Sequence, residues 1–286
     1  MESYMKKVAV IQDMSSFGKC SLTAAIPVLS VMGIQACPLP TAVLTAQTAY
    51  PSFYVKDLTD EMNHFTTEWS KMDESFDGIQ TGFVTGKEQI DNIFRFLDVF
   101  QTNDTLLLVD PVMGDDGELY KMYTQALLER MKELVKRANI LTPNITECCL
   151  LTNSNYEKLH SYHDAKSFIQ ALEAIGQKLQ QETNAQVIIT GVHIPTNEPS
   201  EQTIGNLLID HDETFFSKQP YNGQSYSGTG DLFSAIVMGS VLRGQSLKAA
   251  IQLAESFISS SIHDTALHNT DPKAGVNFEK FLNMLL

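Results

Sequence analysis

The segment Ser225-Tyr226-Ser227-Gly228-Thr229-Gly230-Asp231-Leu232-Phe233-Ser234-Ala235 has residue types and spacing that could do chemistry on a phosphate. Two glycines stand just before Leu232–Leu242, an apolar stretch that reads as a buried helix. Glycine lets the backbone pass close to a ligand, and the free N–H groups of a helix start make an anion hole. Asp231 falls in the first helical turn, where a carboxylate suits the helix dipole, and that alone would account for it. The same carboxylate beside an anion hole can also accept a proton from a hydroxyl attacking a phosphoryl group.

Three other segments carry polar groups just after apolar runs. In Asn144-Ile145-Thr146-Glu147, Asn144 can cap a helix and Glu147 can complete the cap from the third position. Carboxylate oxygens there also suit Mg²⁺, directly or through water. Asp110, in Val109-Asp110-Pro111-Val112-Met113-Gly114-Asp115, ends an apolar run, and a charge so placed calls for a partner such as a cation. Thr190-Gly191 offers a hydroxyl and a close-approach backbone. Together these segments describe ATP–Mg²⁺ held by loops, with Asp231 as base.

Alternating elements must position them. Short apolar runs at Val8–Gln12, Ile34–Val43, Gly78–Gln80, Thr105–Val109, Asn139–Leu141 and Val187–Ile189 read as strands. Between them, helical spacing marks Cys20–Met32 (with Pro27 inside), Leu58–Met72, the Ile90, Ile93, Phe94, Leu97, Phe100 face, the Leu127 to Val135 face and the Ala165 to Leu179 face. Ile204–Ile209 and Thr214–Phe216 read as an edge hairpin around His211-Asp212-Glu213, followed by helices Leu232–Leu242 and Leu247–Ile262. Such alternation predicts a three-layer α/β fold with a mostly parallel sheet and ligands beyond the carboxyl ends of the strands. No repeat or Pro/Gly/Ser-rich boundary interrupts the chain, so residues 1–286 are expected to form one domain.

The 286 residues carry 20 Lys and Arg against 34 Asp and Glu, a formal charge of −14. That balance excludes a nucleic-acid partner and an anionic membrane surface. No apolar run approaches the length of a membrane span, and the short run after Lys7 is no signal sequence. The four cysteines (Cys20, Cys37, Cys148 and Cys149) include no C-x-x-C pair and suit reduced thiols in a cytoplasmic protein. Several motifs fail. Gly18-Lys19 and Gly86-Lys87 lack the rest of a P-loop, Gly228-Thr229-Gly230 lacks the third glycine of a dinucleotide fingerprint, and His160 and His163 lie on a polar stretch that suggests no metal.

Ser227-Gly228-Thr229-Gly230-Asp231 resembles the G-[AT]-G-D signature of the ribokinase-like superfamily, and Asn144-x-x-Glu147 resembles its N-x-x-E motif. Asp110-Pro111-Val112-Met113-Gly114 narrows the resemblance to the vitamin kinases. Val10-Ile11-Gln12 with Phe17-Gly18, Pro38-Leu39-Pro40-Thr41, Thr48-Ala49-Tyr50 and Thr81-Gly82-Phe83 resemble segments of the pyridoxal kinases. The resemblance runs from about Lys7 to about Arg243. It implies a ribokinase-like fold without a large β lid, and ATP-dependent phosphorylation of the 5′-hydroxymethyl group of pyridoxal, pyridoxine or pyridoxamine.

In that scheme Asp231 is the base, and Gly228 and Gly230 with Thr229 form the anion hole. Asp110 and Glu147 lie near Mg²⁺ and the ATP phosphates, and Thr142, Asn144, Thr190 and Gly191 line the nucleotide. Phe17 and Phe83 sandwich the pyridine ring, and Thr48 bonds its polar edge. Two departures stand out. Asp13 replaces the serine that commonly follows Ile-Gln, where its carboxylate could meet a ring nitrogen or substrate amine. Thr190 replaces a lysine, which leaves phosphate charge to backbone amides and Mg²⁺. The resemblance also implies a homodimer, and water exclusion by a loop such as Gly114–Tyr120 or Pro220–Tyr226. Alternatives are a hydroxymethylpyrimidine kinase with the same chemistry, against which the Gln12-Asp13 and Phe17 opening speaks, and a catalytically silent vitamin-binding regulator, against which an intact Asp231 speaks.

Overall fold

Polar residues lengthen the strands beyond their apolar runs. In the computed structural model, which describes residues 5–121, 123–196, 202–211 and 213–286, the first strand β1 spans Lys7–Ser15 rather than stopping at Gln12. Gln12, Asp13 and Ser15 are buried, and Gln12 and Ser15 pair with the next strand on either side of Asp13. The chain divides into two compact units: residues up to Leu108 with Ser225–Leu286, and Val109–Gln224.

In the first unit, β2 (Gln35–Leu44), β3 (Val55–Asp57), β4 (Gly78–Thr81) and β5 (Leu106–Val109) join β1 in the order β5-β4-β1-β2-β3. β1 runs parallel to β2 and β4, and the short edge strand β3 is antiparallel to β2. The β1–β2 ladder loses register between Gln12 and Met14, which places Asp13 at an irregularity. Such irregularities commonly re-aim a side chain. Helix α1 (Leu22–Val31) packs on β1 and β2. It begins two residues later than its apolar pattern suggests because Ser21 is not helical, and it continues through Pro27. Helices α2 (Met62–Lys71) and α3 (Lys87–Phe100) pack on each other, their contact filled by Trp69, Phe76, Phe96 and Phe100.

The second unit holds α4 (Gln125–Leu134), β8 (Ile140–Leu141), α5 (Ile145–Thr152), α6 (Tyr156–His160), α7 (Ala165–Thr183) and β9 (Gln186–His193), after a small hairpin of β6 (Gly114–Asp115) and β7 (Glu118–Leu119). The hairpin β10 (Thr203–Ile209) and β11 (Thr214–Pro220) completes the order β11-β10-β9-β8. β8 and β9 are parallel and β9, β10 and β11 antiparallel. The edge hairpin expected from sequence is present, although Asp212 of its turn lies outside the described residues. Gly114–Tyr120, one of the loops expected to exclude water, carries the short β6–β7 hairpin.

Back in the first unit, α8 (Thr229–Leu242) and α9 (Leu247–Leu267) pack together, α8 also against α1 and β4, and a 3-10 turn at Phe278–Leu285 covers α9. The fold is mixed α/β with a mostly parallel sheet covered by helices, and no large β lid is present among the described residues. None of the described helices is long and apolar enough to cross a membrane.

Phe96 is 1% exposed and its ring centroid lies 4.6 Å from that of Phe100. We expect Phe96→Ala to cost about 3–5 kcal/mol, the usual range for a truncated core phenylalanine, as a fall in the urea midpoint with an unchanged slope.

Candidate active site

The glycine turn before α8 is held by direct backbone approach. Gly228 has φ +80°, a conformation that suits glycine. A Cβ there would lie 2.2 Å from the Lys19 carbonyl oxygen, so residues 227–230 and the turn at 18–21 touch through their backbones. Gln47 braces the pair. Its Nε2 donates to the Ser227 hydroxyl (2.9 Å) and to the Lys273 carbonyl (3.1 Å), while its stem lies where a Cβ on Gly18 would stand. The Ser227 N–H donates to Pro272 O, and the Thr229 hydroxyl donates back to Tyr226 O. The first amides of α8 have no intrahelical acceptor by virtue of their position. A Cβ on Gly230 would meet nothing within 4 Å, so there is open space at this helix start.

Asp231 sits at that opening, half-buried. Burial pushes its carboxyl up to about 7, the Ser21 backbone amide pulls the other way, and the negative charge of Asp13 raises it further. A carboxylate tuned near neutrality is suited to take a proton from an alcohol. Asp13 itself is 4% exposed. Its Oδ1 accepts from the Ser21 hydroxyl (2.6 Å) and its Oδ2 from the Ser15 hydroxyl (2.7 Å). Burial raises its pKa, partly offset by the two hydroxyls. Both oxygens of the residue expected to contact a substrate are therefore engaged by serines. The Cys20 thiol, beside both acids, is pushed well above its ordinary range by burial and then by the charges of Asp231 and Asp13. All four cysteines are free thiols.

The expected ring-binding residues fall on neighbouring turns of the same unit. Phe17 is 68% exposed, and its carbonyl accepts from the Gln47 N–H (2.9 Å), which ties its turn to that of the exposed Thr48. Phe83 is half-buried, with its carbonyl held by the Thr41 hydroxyl. Phe17 and Phe83 make no mutual ring contact among the described residues. Two features were not foreseen. Gln12 fills the space a Cβ on Gly82 would need, and Ser15 and Ser21 occupy Asp13. A serine before a helix signals a cap, yet Ser21 makes no side-chain cap bond because its hydroxyl goes to Asp13.

The second unit gathers the other expected residues. Asn144 and Glu147 form a full capping box at the start of α5. Asn144 Oδ1 accepts from the Glu147 N–H, and Glu147 Oε2 accepts from the Asn144 N–H (2.8 Å). Glu147 Oε1 takes a further N–H, that of Met113 (2.9 Å), and Asn144 Nδ2 donates to Gly114 O (2.8 Å). The capping pair thus fixes the loop that follows Asp110. Thr190 pairs with Asn144 in a parallel bridge, and the Thr142 N–H donates to Val109 O. The segments 109–114, 142–147 and 190 therefore meet, as expected, with Gly191 next in the chain at φ +63°. Glu147 is fully enclosed, which pushes its pKa up, while its two backbone donors favour the charged form. The Thr142 hydroxyl is buried without a partner among the described residues, which leaves it available to a bound molecule.

No group of three or more His, Cys, Asp or Glu among the described residues forms a metal cage. Lys19, next to the glycine turn, is committed to Val276 O, Asn277 and Glu279. A cavity of about 350 Å³ in the first unit is lined by Met5, Met32, Ile34, Leu242 and Arg243, at the opposite end of α8 from Asp231. Eleven residues of helix separate them, roughly 17 Å, and the cavity holds none of the acids discussed above.

The first unit holds a helix start with free amides beside a tuned carboxylate; the second holds a capped loop and a buried hydroxyl without a partner among the described residues. The family model of the phosphomethylpyrimidine kinases matches residues 16–276, and the chain belongs to that family of kinases, within the ribokinase-like superfamily. It is 28% identical to the pyridoxal kinase of Dictyostelium discoideum, over 96% of this chain and 90% of that one. A Bacteroides thetaiotaomicron protein assigned to the phosphomethylpyrimidine kinases and crystallised with pyridoxal is similar at 36% identity and a TM-score of 0.88, over 98% and 96% of the two chains. The pyridoxal kinase of Lactobacillus plantarum is similar at 29% identity and a TM-score of 0.86, over 99% and 97%.

Two substitutions test this local architecture. Gly228→Ala forces an unfavourable φ and a contact with Lys19 O, so a cost of at least about 1–3 kcal/mol should appear as a lower melting temperature together with lost turnover. Glu147→Gln keeps one acceptor oxygen but leaves Met113 or Asn144 with an unpaired N–H. A loss of about 1–3 kcal/mol is expected by chemical denaturation.

Proposed function

We propose that this protein phosphorylates the 5′-hydroxymethyl group of a B6 vitamer (pyridoxal, pyridoxine or pyridoxamine) with ATP, using Asp231 as general base. The observation that carries this reading is the carboxyl of Asp231, raised to about 7 at an open, amide-lined helix start. In the proposed reaction the hydroxyl gives its proton to Asp231, its oxygen attacks the γ-phosphorus, and ADP leaves. The amides from Gly228 to Asp231 meet the charge on the transferring phosphoryl. Phe17, Phe83 and Thr48 are proposed to grip the pyridine ring, and Thr142, Asn144, Thr190, Gly191 and Thr229 to line the nucleotide. The protein whose crystals contain pyridoxal, at 36% identity, supports the vitamer class.

The acids present fit Mg²⁺ held mostly by phosphate oxygens and water, the usual habit of that ion. Asp110, 9% exposed at the end of β5, is proposed to face it directly. Both Glu147 oxygens already accept an N–H, so Glu147 would contribute chiefly by fixing the Asp110–Gly114 loop and by long-range charge. Bound there, the ion would neutralise phosphate charge that this acidic chain has few lysines to meet. The whole chain, as a homodimer in the cytoplasm, is proposed to act as one kinase domain. The family model favours a second reading, phosphorylation of a hydroxymethylpyrimidine by the same groups.

Purified protein assayed with ATP against the three vitamers and hydroxymethylpyrimidine separates the two, and faster turnover of the pyrimidine overturns the first reading. Asp231→Asn should lower kcat by about 10²–10⁴. Because the base must be ionised, and burial raises its pKa, kcat should fall as pH drops through about 7. A kcat independent of pH between 5 and 8 would contradict the role given to Asp231.

A further inference from the structure

We propose that Thr41 and Gln89 are positioning residues for the substrate ring: they pin the backbone that carries Phe83 and so hold its side chain ready for the vitamer. This rests on the reading of Phe83 as a ring contact in a B6 vitamer kinase. Phe83 lies just beyond β4, in a loop that belongs to no strand or helix. An aromatic side chain on a free loop would lose that freedom when a ligand binds, at a cost to affinity. A loop already fixed by buried bonds avoids the cost.

The backbone is held before, at and after Phe83. The Gly82 N–H donates to Ile11 O (3.0 Å), and the Thr41 hydroxyl donates to Phe83 O (3.0 Å). Gln89 Oε1 accepts from the Thr85 N–H (2.9 Å), and the Thr85 hydroxyl donates to Asp57 Oδ2. Thr41 and Gln89 are both 0% exposed, and they are tied to each other. Gln89 Nε2 donates to the Thr41 carbonyl (2.8 Å) and to the Thr59 hydroxyl (3.0 Å). One amide on α3 thus joins the far end of the loop, β2 and the segment after β3. Asn92, further along α3, adds a bond from its Nδ2 to Thr59 O (2.8 Å).

Helix capping alone does not account for Gln89. It occupies the third position of α3, from which a capping side chain reaches back to the amide of the cap residue, here Gly86. Gln89 passes Gly86 by, takes the Thr85 amide instead, and spends its amino group on two other segments. Apolar burial already seats the loop and the helix, through Val84 at 1% exposed and through Ile90, Ile93 and Leu97. A buried amide that needs three partners is a demanding addition to such packing. What it adds is a fixed path for the chain, with Phe83 half-buried between the buried Gly82 and Val84.

The test is steady-state kinetics with ATP and pyridoxal on the full chain, beside calorimetric titration of pyridoxal without ATP. Wild type is compared with Thr41→Val, Thr41→Ser, Gln89→Leu and Phe83→Ala. Valine keeps the shape of Thr41 and removes its hydroxyl, whereas serine keeps the hydroxyl. We expect Thr41→Val and Gln89→Leu each to raise KM and Kd for pyridoxal about five- to tenfold, the size of one buried hydrogen bond, with kcat and KM for ATP within about twofold. Thr41→Ser should match wild type. A merely structural role would lower the melting temperature and leave the KM of the folded enzyme alone. Wild-type KM and Kd in Thr41→Val therefore overturn the proposal, and so does a fall in kcat at unchanged KM. Thr41→Val, the milder change, decides the matter where Gln89→Leu does not fold. An unmoved KM and Kd in Phe83→Ala remove the ring grip and this role with it, while the kinase reading stands. A raised KM in Phe83→Ala beside a silent Thr41→Val rejects the positioning role alone. A wild-type chain that phosphorylates no vitamer removes the functional reading and this role together.

Discussion

Backbone touching backbone, at Gly228 against the carbonyl of Lys19, is the constraint from which the first unit's site follows. Two irregular turns from distant parts of the chain can approach so closely only because one of them lacks a side chain and accepts a positive φ. Their contact sets the start of α8, and the start of α8 sets where Asp231 and the first amides stand. Gln47 and the 272–275 segment then close around the pair, so a single point of approach is supported from two other stretches of sequence.

That arrangement comes at a cost to folding. A carboxyl held near 7 is one the folded protein prefers to keep protonated, whereas the unfolded chain ionises it near 3.8. Its contribution to stability is accordingly greatest in acid and diminishes as pH rises from about 4 to 7. A second buried acid nearby, Asp13, adds to the burden rather than relieving it. Sites that tune a pKa by burial and like charge are commonly the functional ones, and the strained backbone at 18–21 belongs to the same pattern.

The second unit solves a different problem by gentler means. Its loops are fixed by ordinary capping chemistry, with Glu147 serving two backbone donors from two segments at once. The choice between a cap and a ligand for Asn144 and Glu147 is therefore a false opposition. The cap organises the loop after Asp110, and any contact with phosphate or Mg²⁺ is made by a scaffold that the cap has already ordered. This explains how a short α5 of eight residues can hold several segments in place.

Periodicity alone placed most strands and helices, because apolar residues at spacing two or 3.6 must face a core whatever their partners. The glycine turn, Asp231 and the Asn144–Glu147 cap were likewise legible, since their chemistry is local. What was missed lay where buried polar groups decide. β1 runs on to Ser15 because Asp13 satisfies two serines, and α1 starts late because Ser21 bends to serve Asp13. The short pieces β3, β6, β7 and α6 carry too few residues to show a period. Asp13 could be read as a substrate contact from its place in a motif; only the fold shows that Ser15 and Ser21 donate to its two oxygens. A hydrogen bond between residues eight apart depends on where the chain turns, and that is settled by packing that no single segment encodes.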